Sequence, residues 1–331
     1  MKDQLKIEYE EWANHISGIL QEERSWVKLY KDYAVKLVRN REGYCEARSK
    51  FREPKPLHAY LSVGRAKENK KEFDLRYLGQ SVGCIFVKSD GSVCLEVSDT
   101  QAKNSQKYFS YNVGVIKDAD WSNSSEAKEF RRFYREECEG TPRQKEHMVE
   151  SALFSETGKR SSKTKTLCNI TPVAYAGTRI HMKTAVRASD SGKKGSAVVS
   201  DAGGEIDLLC RRSIKAGRGE SRLVVIEIKD ENKKAESFDA TMKQAISYGV
   251  FIRELIHSEA GKYWMDLWGM KNQKHEGFKI DCVVAMPEGE TKPSYNGECI
   301  RIGEDDYLEL HYMELTNIDH DDVIFNTSMS N

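Results

Sequence analysis

Apolar residues recur at helical spacing from Leu5 to Leu37. Leu5, Tyr9, Trp12, Ile16, Ile19 and Leu20 form one stripe, and Trp26, Leu29, Tyr30, Tyr33 and Leu37 continue it. The spacing predicts helix over residues 4–40, divided near Gly18 and the charged run around Glu22. Pro54 and Pro56 end it. The period then shortens. Residues 57–115 read as β-rich, with a strand at Phe73–Leu78 and a pair at Val82–Lys88 and Val93–Val97. These two flank Ser89-Asp90-Gly91-Ser92, and Asp-Gly between apolar runs is a hairpin signal. Residues 123–139 are charged and predicted helical. Gly140-Thr141-Pro142 marks a boundary, with Thr141 placed to cap a new helix and Pro142 at its first position.

The second half carries the clearer pattern. A helix over Arg143–Ser155 shows Met148, Val149, Ala152 and Leu153 on one side. A polar, basic loop at 156–166, a strand at Ile180–Arg187 and a Gly/Ser/Ala-rich loop at 188–204 follow. Ile206–Arg212 and Leu223–Ile228 read as strands around a turn at 214–221. Residues 237–257 are predicted helical, and Lys279–Met286 is a last apolar strand. Trp264, Leu267 and Trp268 suggest a short packed helix. The acidic stretch Gly303–Asp321 carries no site signal. The expected architecture is therefore α/β: an α+β accessory domain over residues 1–140, then residues 141–331 with the order helix–strand–strand–strand–helix–strand.

Composition narrows the function classes. The 331 residues hold 52 Lys+Arg against 52 Asp+Glu, so a uniformly basic carpet is excluded, whereas a local basic strip is not. No run of about 18 apolar residues occurs, so no membrane span is expected. The first twenty residues are too acidic and interrupted for a secretory signal. The eight cysteines include no CxxC, which gives a zinc ribbon no spacing support. Several lie in apolar runs as small buried hydrophobes. Reduced cysteines without an export signal point to the cytoplasm.

One constellation carries chemistry. Asp207 closes Gly204-Glu205-Ile206-Asp207. Glu227 and Lys229 flank Ile228 at the end of a strand, where alternate residues share a face. If the two strands pair across the 214–221 turn, Asp207 comes close to Glu227. Two nearby carboxylates repel unless a cation sits between them, and hard oxygen ligands suit Mg²⁺ or Mn²⁺. A divalent ion there would acidify a water and polarise a phosphoryl oxygen, while Lys229 would orient that water or stabilise developing charge. Such chemistry hydrolyses a phosphodiester.

The G-x-x-D, E-x-K and Q-x-x-x-Y set resembles the PD-(D/E)XK nuclease superfamily, its RecB-like branch in particular, over about residues 143–290. By that resemblance the fold of residues 141–331 is a restriction-endonuclease-like core. Asp207, Glu227, the Ile228 carbonyl and Glu150 (or Glu146) are then the metal ligands, and Lys229 is the catalytic lysine. Gln244 and Tyr248, four apart on one helix face, support the site or touch DNA. His147 occupies the place of a histidine found in RecB-like members. Ile206 stands where a proline is common. Arg211, Arg212, Lys215, Arg218 and Arg222 crowd the hairpin that leads into the proposed site, and Lys159, Arg160, Lys163 and Lys165 crowd a loop upstream. They are candidates for binding the nucleic-acid backbone. Tyr108, Phe109 and Tyr111 read as core aromatics ahead of a base-stacking platform.

The resulting expectation is a cytoplasmic, Mg²⁺-dependent DNA endonuclease or exonuclease of a defence or restriction type, with RNA not excluded as substrate. A homodimer and a regulatory ligand or protein at the N-terminal domain remain open. The alternative is a nuclease-fold binding module whose cleavage is lost or depends on a partner.

Overall fold

The computed structural model describes residues 2–63, 71–143, 145–157, 169–188, 197–214, 221–229, 237–271, 277–287, 295–316, 324–327 and 329. It is a mixed α/β protein with mixed sheets. The chain forms two compact units. The larger comprises residues 1–34, 152–173 and 181–331, and the smaller 35–151 and 174–180. The first helix thus belongs with the C-terminal half, and residues 141–151 belong with the smaller unit.

The expected N-terminal helix is two, α1 (Lys2–Glu22) and α2 (Ser25–Arg39), followed by α3 (Arg41–Ser49). In the smaller unit, β1 (His58–Ser62), β2 (Lys71–Tyr77), β3 (Gln80–Val87) and β4 (Val93–Val97) run antiparallel. Gly91 turns the β3–β4 hairpin at φ +86°, a region that a side chain disfavours. Helix α4 (Asp99–Phe109) begins at Ser98 with a reciprocal capping box to Gln101. After it come β5 (Ile116–Asp120) and α5 (Ser125–Arg132), which runs on into a π-helical turn at Phe133–Glu137. Phe109 is buried against Tyr77, with ring centroids 5.2 Å apart, so it is a core residue on a helix and not a stacking surface.

Helix α6 (Lys145–Thr157) precedes β6 (Ile170–Pro172) and β7 (Ala174–Tyr175). The strand expected at 180–187 is split at Met182. Its first part, β8 (Thr178–His181), joins the sheet of order β5-β4-β3-β2-β1-β8-β7. Its second part, β9 (Lys183–Arg187), pairs with β10 (Val198–Glu205). Part of the expected 188–204 loop is therefore strand. Its glycines serve close approach: a Cβ on Gly203 would lie 1.5 Å from the Thr184 carbonyl oxygen, at the irregularity between Val199 and Gly204.

The main sheet of the larger unit has the order β14-β15-β13-β12-β11-β6. Its strands are β11 (Leu208–Ser213), β12 (Ser221–Ile228), β13 (Lys279–Pro287), β14 (Cys299–Ile302) and β15 (Asp306–Thr316), with β16 (Ile324–Thr327) paired to β15. Strands β12 and β13 are parallel, which requires a crossover. Helix α7 (Phe238–His257), followed by α8 (Gly261–Leu267), lies in that crossover. The acidic stretch beginning at 303 thus contributes a central strand, β15, parallel to β13.

Candidate active site

Period-two alternation sorts the polar residues of the main sheet onto two faces. In the β11–β12 ladder Leu208 is paired with Ile226, so one step further sets Asp207 across from Glu227. Leu223, Val225, Glu227 and Lys229 share a face. Cys282 is paired with Val225 and shares that face too. Helix α7 covers it: a Cβ on Gly249 would lie 2.6 Å from the Cys282 Sγ, so the helix backbone rests directly on the sheet. In turn α1 braces α7. The Trp12 indole donates to the Lys243 carbonyl (2.9 Å) and the Ser247 hydroxyl (3.0 Å), and the Ser17 hydroxyl donates to Glu254 (2.7 Å).

Five of the expected side chains meet on this covered face: Asp207, Glu227, Lys229, Gln244 and Tyr248. The Asp207 carboxylate accepts the Ile228 backbone N–H at 2.8 Å, which ties the chain before β11 to the end of β12. The Lys229 ammonium donates to Glu227 Oε1 at 2.7 Å, with both residues buried, while Asp207 is half-buried. From α7, Gln244 donates to the Tyr248 hydroxyl at 3.3 Å. That hydroxyl also abuts Gly204, where a Cβ would lie 3.0 Å from it. Burial, then the charge of Glu227 and of Asp207, hold the Tyr248 phenol above its ordinary pKa, against the opposing pull of Gln244 and Lys229. The phenol thus stays protonated at neutral pH. Two carboxylates and the Ile228 carbonyl are hard oxygen donors, a set that fits Mg²⁺ or Mn²⁺.

Glu150 is in the smaller unit, buried, with Arg76 Nη1 at 3.7 Å and His147 Nδ1 at 3.5 Å. Arg211 lies on the Asp207 face and donates to the Gly269 carbonyl at 3.0 Å. Arg212 points the other way and is buried, its guanidinium 2.8 Å from Asp281, so it is not presented to a phosphate. Lys215, Arg218 and the basic loop residues Lys159, Arg160, Lys163 and Lys165 lie outside the described residues.

The opposite face holds a charged cluster that sequence reasoning missed. Asp281 is paired in register with Glu309, and His311 follows two residues on. Their ligand atoms all lie within 4.8 Å of one another, so the group could hold a metal ion. Two guanidiniums are already present. Arg212 is bound to Asp281, and Arg222 Nη1 lies 3.3 Å from Asp281 and 2.6 Å from Glu309. Two positive charges balance two carboxylates, and a dication would leave the buried group strongly positive. The arrangement is therefore an ion-pair network.

No family model, curated protein or solved structure matches the chain. Among the described residues, no helix is long and apolar enough to cross a membrane.

Proposed function

We propose that the protein is a metal-dependent nuclease that hydrolyses phosphodiester bonds of DNA, with its site on the α7-covered face of the main sheet. The observation that carries this reading is the register that sets Asp207 across from Glu227, with the Lys229 ammonium on the Glu227 carboxylate. The order α6, β6, β11, β12, α7, β13 supports a restriction-endonuclease-like core, with β7, β8, β9 and β10 inserted between β6 and β11. Asp207, Glu227 and the Ile228 carbonyl would hold Mg²⁺ or Mn²⁺, whose chemistry is Lewis-acid polarisation of the phosphoryl group. Lys229 would stabilise negative charge at the reacting phosphate once its ammonium turns from Glu227. Tyr248 and Gln244 would fix the carboxylates from α7. Arg211, on the same face, would meet the DNA backbone if its guanidinium left the Gly269 carbonyl.

The burial of Glu227 and Lys229 favours a second reading as well: cleavage that waits for a partner or ligand to open the site. The test is incubation with supercoiled, linear and single-stranded DNA and with RNA, in Mg²⁺, Mn²⁺ or EDTA, beside Lys229→Ala. Metal-dependent cleavage lost in Lys229→Ala supports the nuclease. Metal binding without cleavage supports the gated form. Neither cleavage nor metal binding removes both.

A further inference from the structure

The stripe of α7 that α1 grips is one residue out of step with the stripe that serves the candidate site. Lys243 and Ser247 meet Trp12 of α1. Gln244 and Tyr248 meet each other, and the Tyr248 phenol feels the charges of Glu227 and Asp207. At 3.6 residues per turn the two stripes lie about 100° apart on the same stretch of helix. Contacts on either side hold α1 along α7: the Tyr9 hydroxyl donates to Asp239 at 2.8 Å, and the Ser17 hydroxyl to Glu254 at 2.7 Å.

The contact between them reaches the helix backbone. The indole N–H of Trp12 is shared between the Lys243 carbonyl and the Ser247 hydroxyl, and that hydroxyl donates to the same carbonyl at 2.6 Å. In an α-helix this carbonyl also takes the N–H of residue 247. Side-chain donors on such a carbonyl compete with the helical bond and bend the helix. Trp12 and Ser247 therefore act on the backbone of the turn that carries Gln244 and Tyr248. Little slack exists beyond it. Ser247 and Tyr248 are buried, and the Tyr248 hydroxyl is seated against the bare backbone of Gly204. Groups that serve a reacting centre tolerate displacements of only about 0.5 Å.

We propose that Trp12 is a positioning residue for the candidate active site: through the Lys243 carbonyl and Ser247 it sets where α7 presents Gln244 and Tyr248 to the carboxylates. Its effect on catalysis rests on the nuclease reading; the placement of Tyr248 does not. The test is Trp12→Phe in the full chain. It removes the indole N–H and keeps an aromatic ring, and the Ser247 hydroxyl and Lys243 carbonyl stay paired with each other. Ser247→Ala, a better helix former, is the second variant. Initial rates on plasmid DNA in Mn²⁺ are expected to show kcat about tenfold lower in each, with KM unchanged. In a Tyr248→Phe background the further loss from Trp12→Phe is expected to fall below about twofold. Equal losses in both backgrounds would make Trp12 a general stabiliser of the fold and overturn the proposal. The second readout needs neither DNA nor metal. With 3-fluorotyrosine at position 248, the fluorine resonance is expected to move in both variants, and a resonance that stays in place in both overturns the proposal. A shifted resonance in a protein that cuts nothing upholds the placement of Tyr248 and removes the nuclease reading instead.

Discussion

Replacing Asp281 by Asn removes one charge while keeping the side chain's shape, and so isolates the electrostatics of the main sheet's second face. Asp281 is fully buried, with Arg212 at 2.8 Å, Arg222 at 3.3 Å and the His311 ring at 3.8 Å. At these separations each guanidinium contributes about 5–6 kcal/mol of gross attraction at an effective dielectric near 20. Desolvation offsets most of it. What remains on breaking such a pair is about 3–5 kcal/mol, because a buried guanidinium loses its nearest carboxylate. At roughly 2–4 °C per kcal/mol for a unit of this size, the melting temperature should fall by about 10 °C. Circular dichroism melts of wild type, Asp281→Asn and the exposed control Glu304→Gln would measure it. A loss under about 1 kcal/mol refutes the ion-pair account. So does a comparable drop on EDTA treatment that Asp207→Asn retains and Asp281→Asn loses, since the cluster would then be held by metal and not by arginine.

The same network predicts a bell-shaped stability against pH. The His311 ring 3.3 Å away and then Arg222 hold the Glu309 carboxyl down at about 2, against burial. That contribution is complete above the ordinary value of 4.5 and disappears as pH falls towards 2. Burial pulls His311 down, but Asp281 and Glu309 outweigh it and raise its pKa above 6.5, so its contribution is complete below 6.5 and disappears as pH rises through the shifted value. Urea midpoints against pH should therefore lose the acid limb in Glu309→Gln and the alkaline limb in His311→Gln; unchanged limbs would contradict the assignment. Gly249→Ala should destabilise by about 1–3 kcal/mol, because its Cβ meets a buried Cys282 Sγ that has no room to retreat. A neutral melting temperature would show that α7 does not sit so close to the sheet. Gly204→Ala should cut cleavage severalfold, because its Cβ would lie 2.9 Å from the Val186 carbonyl oxygen and 3.0 Å from the Tyr248 hydroxyl, measured as initial rate on plasmid DNA; full activity would show that this close approach does not support the site.

The legible parts of the chain were those whose side chains all face one way or carry one message. Leu223–Ile228 and Lys279–Met286 are apolar on both faces because both faces of those strands are covered, and they read as strands at once. The helix at 237–257 declared itself through its apolar spacing, and in the structure Ser237 caps it. Strand β10 was hidden because glycines that permit close approach to Thr184 look, one by one, like loop residues. Strand β15 was hidden because its Glu309 and His311 read as solvated charge. They pair with each other and with Arg222 and Asp281, and the partners from other strands are what no local pattern reveals. Arg212 had an available signal: next to Arg211 on a strand, the two must face opposite ways, so a basic strip of both was excluded by the pleat. Asp207, Glu227, Lys229, Gln244 and Tyr248 were visible as a spaced set, and the register and α7 bring them to one face.

The central claim is that Asp207 and Glu227 hold the metal that cuts DNA. Its most direct measurement is a plasmid-nicking time course in Mn²⁺, comparing wild type with Asp207→Asn at matched thermal stability. The account predicts nicking by the wild-type protein and a loss of at least about a hundredfold in Asp207→Asn. Equal nicking by both proteins would contradict it.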